Sequence, residues 1–134
     1  MKSFIVATSI VVGLSVLTGC AGAPVSKNLV KMDVDFNWTS RSGCSAVSPP
    51  INLSNVPAGT QQIKVHMIDK QYPMFNHGGG EVTYAGNTLP EGALKSYYGP
   101  CPPNGSHDYE MTVNALDANG VVVGRGKAVR AFSK

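Results

Sequence analysis

Clusters of basic residues are missing from this sequence. Eleven Lys and Arg residues against eight Asp and Glu leave a formal charge of +3, and the cations do not gather into any patch. Nothing in that distribution suggests nucleic acid as a partner. Helical patterning is missing as well: no segment of three turns carries an apolar stripe at helical spacing. There are no internal repeats and no low-complexity domain, and the length of 134 residues suggests one domain. The chain beyond residue 19 has no Gly-x-Ser-x-Gly elbow, which argues against a serine hydrolase. No Cys-x2-Cys pair is present either, so the compact zinc patterns are excluded.

The apolar run at the start, Phe4 to Leu17, is too short to span a bilayer comfortably and has the length of a signal-peptide core behind Lys2. It ends in Leu17-Thr18-Gly19-Cys20, which resembles the lipobox of bacterial lipoproteins, where the chain is cut before a cysteine that is then lipidated. The expected organisation is therefore a signal peptide over 1–19, a lipidated tether over 20–28 anchored at Cys20, and a domain over 29–134. Ala21 stands after the cysteine instead of an aspartate, which by resemblance to enterobacterial sorting favours the outer membrane. The implied location is the cell envelope, facing the periplasm. Removing Lys2 lowers the formal charge from +3 to +2. In an oxidising compartment the two remaining cysteines, Cys44 and Cys101, are expected to pair; two buried thiols are the alternative.

Beyond the tether the chain reads as strands. Met32, Val34, Phe36 and Trp38 alternate with Lys31, Asp33, Asp35 and Asn37, and Ile63, Val65 and Met67 alternate up to Asp69. Ile51–Leu53 and Glu81–Tyr84 are short extended pieces. Tyr109, Met111, Val113 and Ala115 share a face of a long strand from His107 to Leu116, and Asp117-Ala118-Asn119-Gly120 reads as the hairpin loop before a strand over 121–132. Glycines 124 and 126 suggest a bulge or bend in it. Residues 70–80, 86–92 and 99–105 read as irregular, and 93–97 as one possible helical turn. Short strands between Gly/Pro turns point to an all-β antiparallel sandwich or barrel.

The heptapeptide Asn76-His77-Gly78-Gly79-Gly80-Glu81-Val82 suggests an anion-holding loop, because consecutive glycines let backbone N–H groups converge. Asp69, His77 and His107 could also form a facial triad for a metal, although loop residues satisfied by local backbone are the plainer reading. His66 lies off the apolar face of its strand and reads as solvated.

Several ordered motifs carry a family resemblance. Gly99-Pro100-Cys101-Pro102-Pro103, a spacer, His107-Asp108-Tyr109 and then Ala115-Leu116-Asp117 resemble the GPCPP, H-x-Y and ALD segments of bacterial phosphatidylethanolamine-binding proteins, also called Raf-kinase-inhibitor-like proteins. Ser48-Pro49-Pro50-Ile51, Val56-Pro57-Ala58-Gly59-Thr60 and Leu89-Pro90-Glu91-Gly92-Ala93 resemble the same family's SPP, VPAGT and LPEGA stretches. The likeness runs from about Cys44 to Asp117. It implies two antiparallel sheets packed as a sandwich, with few or no helices and a small pocket near one end.

By that resemblance Asp69, Pro73, His77, Cys101, Pro102, His107 and Tyr109 line the pocket. The implied ligand is an anionic small molecule, phosphate or a phospholipid head group, bound without cofactor, metal or catalysis. An interaction protein with a vestigial pocket, or a metal-assisted enzyme using Asp69, His77 and His107, are the alternatives. The chain departs from the family in four respects, one being a short segment between His77 and Leu89-Pro90-Glu91-Gly92-Ala93. Gln71 stands where the family's DPDAP segment has its second aspartate. Glycine follows His77 where relatives carry an aromatic residue, and a late helix is missing. The pocket is thus expected to be more open, with a rim too polar to take up whole acyl chains.

Overall fold

A computed structural model describes residues 22–134. The expected signal peptide over 1–19 and the expected lipidation at Cys20 lie outside the described residues. Nine strands succeed one another: β1 (Val25–Lys31), β2 (Asp33–Phe36), β3 (Ile51–Ser54), β4 (Gln62–Asp69), β5 (Gly78–Thr83), β6 (Thr88–Leu89), β7 (Ser96–Tyr97), β8 (Ser106–Leu116) and β9 (Val122–Ser133). Six form one sheet in the order β1-β9-β8-β4-β5-β7, and three form a second in the order β2-β3-β6. Among the described residues no helix is formed. The all-β architecture of two sheets matches the expectation, with one exception to antiparallel pairing: β1 runs parallel to β9.

The period-two pattern decides what lies between the sheets. Ile63, Val65 and Met67 of β4 stand opposite Ala115, Val113 and Met111 of β8, and all six are buried. Phe36, Ile51, Leu53 and Leu89 of the small sheet close the same core. Trp38 packs edge-on against Phe36, Tyr109 and Phe132, and its indole N–H donates to the Ala131 carbonyl at 2.7 Å. A partly buried Trp needs such a partner for its polar handle.

The structure corrects several local expectations. Val25–Asn28, read as tether, belong to β1, because the parallel edge of β9 accepts them. The single strand expected over 32–38 is divided between two sheets. Met32 is the crossing point, its N–H donating to the Arg125 carbonyl at 2.8 Å. The glycines of β9 permit this crossing: a Cβ on Gly126 would lie 2.5 Å from the Met32 carbonyl oxygen. The bulge expected there is present, since Ala115 pairs with Gly124 and Leu116 with Val122. Residues 93–97 contain no helical turn; Ser96–Tyr97 form β7 on the edge of β5 instead. Thr88–Leu89, read as loop, add β6 to β3.

The disulfide Cys44–Cys101 is present. It fastens the loop before β3 to the proline-rich loop before β8, alongside backbone hydrogen bonds from Cys44 N–H to the Pro100 carbonyl (2.9 Å) and Gly99 N–H to the Ser45 carbonyl (2.7 Å). Two other sequence motifs prove to be joints of this kind. Buried Ser48 accepts from the Leu94 N–H through its hydroxyl (3.2 Å) and from the Gly92 N–H through its carbonyl (2.8 Å). Asp117 closes the β8–β9 hairpin by accepting from the N–H groups of Asn119 (2.8 Å) and Val121 (3.0 Å).

Candidate functional site

The inner-face rows of β4 and β8 do not stop where the apolar core stops. One rung beyond Met67 and Met111 stand Asp69 and Tyr109, and two residues further out on β8 is His107. Alternation puts all of them on the same face. Here the chain leaves β4 for the loop 70–77 and returns along 98–105, and the two loops enclose a cavity of ≈ 390 Å³. Asp69, Gln71, Tyr72, Phe75, His77, Tyr98, Cys101, Pro103 and His107 line it.

Asp69 is buried and fully engaged. Its Oδ1 accepts from the N–H groups of Gln71 (2.9 Å) and Tyr72 (3.0 Å), and its Oδ2 accepts from His107 Nδ1 at 2.6 Å. Burial opposes ionisation of this carboxyl, but the hydrogen bond from His107 and those from Tyr72 and Gln71 outweigh it, and the carboxyl is held below its ordinary value of 3.8. Asp69 thus starts the 70–77 loop and orients His107 at once. Gln71 secures the other side of the loop, its Oε1 accepting from the Asp108 N–H at 2.7 Å.

His77 is also buried, and its Nδ1 lies 2.8 Å from the Tyr98 carbonyl oxygen. A carbonyl can only accept, so Nδ1 carries the proton. The same holds for His107 Nδ1 against the ionised Asp69. On both rings Nε2 is therefore a lone pair in the neutral form and a donor only in the imidazolium. Tyr109 lies beneath, fully buried, edge-on to His77 at 5.3 Å and stacked against His107 at 6.4 Å. Burial first, then the neighbouring Asp69 charge, pushes its hydroxyl up to about 12.

Of the residues expected to line the pocket, Asp69, His77, Cys101 and His107 do so. Three do not. Tyr109 is its floor support, Pro73 is on the exposed loop surface, and Pro102 turns inward and is buried while Pro103 faces the cavity. The metal triad does not assemble: among the described residues no three His, Cys, Asp or Glu side chains are grouped to hold an ion. His66 is exposed, as expected.

The glycines after His77 are not an anion cradle. Gly78 and Gly79 are in β5, paired with Tyr97 and Ser96 of β7. A Cβ would come within 1.9 Å of the Ser96 carbonyl oxygen at Gly78 and 2.0 Å of the Val65 carbonyl oxygen at Gly79, and both residues have positive φ. The Gly78 N–H donates to Asn76 Oδ1 at 2.9 Å. These residues are glycine because the sheet leaves no room, and they neither line the cavity nor widen it.

Sequence reasoning missed the aromatic wall. Phe75 lies against His77 with centroids 4.7 Å apart and against Tyr98 at 5.7 Å. Tyr72, Phe75 and Tyr98 are 58 %, 41 % and 42 % exposed, so the rim is apolar and aromatic, contrary to the polar rim expected. The available signal was the density of Tyr72, Met74 and Phe75 in a loop with no core to join.

The family model described as phosphatidylethanolamine-binding protein matches residues 75–134. Over those residues the chain is similar to the phosphatidylethanolamine-binding protein family. Two solved structures with this fold resemble it. One is a phosphatidylethanolamine-binding protein homologue, CT736, of Chlamydia trachomatis, with TM-score 0.59 and 18 % identity over 80 % of this chain and 99 % of that one. The other is YbcL of Escherichia coli, described as a member of the mammalian family, with TM-score 0.59 and 18 % identity over 77 % and 98 % of the two chains. No curated protein sequence matches the chain. The family-like H-x-Y and GPCPP segments supply His107, Cys101 and Pro103 to the cavity, and the loop from Asp69 to His77 supplies most of the remaining wall.

Proposed function

We propose that the protein is a binding module of the bacterial cell envelope whose cavity takes an anionic group, phosphate or the phosphate of a phospholipid head group. The observation that carries this reading is the pair of imidazoles lining the cavity, each with Nδ1 committed and Nε2 left over, in a space small enough for a head group. Protonated, each Nε2 is a charge-assisted donor, and such bonds contribute roughly 1.5–3 kcal/mol. Asp69 acts on the anion only through His107, by accepting from its Nδ1 and orienting the ring so that Nε2 faces away from the carboxylate. The proline-rich loop, held by Cys44–Cys101, is rigid before ligand arrives, which lowers the ordering cost of binding. Binding rather than catalysis is the proposed activity, and the lipobox-like segment ending at Cys20 supports attachment to the outer membrane.

The test is an NMR titration of the protein with phosphorylethanolamine and inorganic phosphate, following the histidine ring signals with His107→Ala as control. Saturable shifts at His77 and His107 that vanish in the variant are expected. Silence at millimolar ligand would sink the reading. For the anchor, Cys20→Ser is expected to release the protein from the membrane fraction, and retention there would refute lipidation.

A further inference from the structure

Among the residues lining the cavity there is no lysine and no arginine. The one fixed charge in that lining is the carboxylate of Asp69, and its widest surface is aromatic. That is a poor match for a bare dianion and a good match for a group that carries a cation beside its anion. Phe75 and Tyr98 are inclined at 54° with centroids 5.7 Å apart, close enough for a single cation in the cavity to come within the roughly 6 Å reach of both rings. Tyr72 extends the wall on the solvent side.

The hydrogen-bond inventory narrows the kind of cation. A primary ammonium carries three donors and needs acceptors for them. The charged and carbonyl acceptors nearest the wall each already receive a hydrogen bond. Both Asp69 oxygens are engaged, the Gln71 side-chain carbonyl accepts from Asp108, and the Tyr98 carbonyl accepts from His77. A quaternary ammonium has no donors to satisfy and presents methyl groups to ring faces, which is how aromatic cages hold it. We propose that Tyr72, Phe75 and Tyr98 form a seat for a quaternary ammonium group, so that the ligand is a zwitterion of the phosphocholine type. The proposal rests on the anion reading for the phosphate end, with the ammonium directed outward along the aromatic wall.

The experiment compares inorganic phosphate, phosphoethanolamine, phosphocholine and tetramethylammonium on the purified full-length protein in a non-ionic detergent, by NMR titration. Phosphocholine is expected to bind roughly 2- to 10-fold more tightly than phosphoethanolamine. Phe75→Leu and Tyr98→Leu are each expected to bring that ratio to about one. Both side chains are partly exposed at the rim, and amide spectra of the variants check that the fold is retained. A ratio at or below one in the native protein, with phosphate still binding, overturns the seat and leaves the anion reading standing. Saturable tetramethylammonium shifts at the rim without any phosphate binding do the reverse. A preference for phosphocholine that survives both leucine substitutions also overturns the seat.

Discussion

The two ends of the β4–β8 ladder are built on one pattern and serve opposite purposes. At one end Ile63, Val65, Ala115 and Val113 are dry and close against the small sheet. At the other, the same alternation delivers Asp69, Tyr109 and His107 to a cavity under two loops. Only residue type changes along the row. The candidate site is therefore the last part of the core's own inner face, and its side chains inherit the rigidity of a paired sheet. Such rigidity is what a preorganised binding site needs.

The comparison can be broken first at the dry end. Ile63→Ala leaves a void among fully buried neighbours and is expected to cost roughly 2–5 kcal/mol in denaturant melts, with the cavity residues intact in the folded fraction. Near the wet end, the staple is the Cys44–Cys101 bond, which closes a loop of sequence separation 57. Its loss through Cys101→Ser, with Cys44→Ser to avoid a free thiol, is expected to cost up to about 4 kcal/mol in the chain-entropy model. The retained hydrogen bonds between the two loops work against the full loss. A melt with and without reductant on the native protein gives the same comparison without mutation.

Acid should discriminate between the ends more finely. Asp69 and Glu110 are both held below their ordinary values. For Asp69 the hydrogen bonds from His107, Tyr72 and Gln71 outweigh burial, and for Glu110 the bond from Lys127 is the leading cause. A carboxyl depressed in the folded state contributes stability above its unfolded value, and that contribution is lost as pH falls through the folded one. Stability should thus decline below about pH 4, and Asp69→Asn should shallow that decline while Ile63→Ala should not. Parallel slopes for all three proteins would show that Asp69 is not among the linked groups. At the alkaline side the sign reverses for Tyr109, whose hydroxyl is pushed up to about 12. The unfolded phenol ionises first, so stability falls as pH rises past about 10.

Much of this architecture was legible from local pattern. Alternation located β4 and β8 and the face they bury, and Asp-Ala-Asn-Gly located the hairpin. What local pattern could not supply was pairing. Gly78 and Gly79 look like a nest until Ser96 and Val65 are known to lie against them. Ser96–Tyr97 look helical until the edge of β5 is available to receive them. The strand through Met32 looks continuous because alternation continues across a change of sheet. At the site, the motif histidines and Asp69 were readable because their chemistry is rare, whereas the aromatic wall was not. Tyr72, Phe75 and Tyr98 come from two loops with no periodicity, and only the fold brings them to one rim.

The smallest effect expected is the one at Tyr97, and it tests whether polar atoms near the site are there for a reason. The hydroxyls of Tyr97 and Tyr109 are both buried, and among the described residues neither has a hydrogen-bond partner. They differ in surroundings. Tyr109 touches both site imidazoles, whereas Tyr97 lies at the sheet edge opposite Gly78, with burial as the leading cause of its raised pKa. Removing an unpaired buried hydroxyl while keeping the ring relieves a desolvation penalty and forfeits no bond. Tyr97→Phe is therefore expected to leave stability within about 0.5 kcal/mol of native, or slightly above it, in the same denaturant melts. A loss beyond about 1 kcal/mol would mean that the Tyr97 hydroxyl has a bound water as partner, and that the wet end reaches further along β7 than the cavity lining indicates.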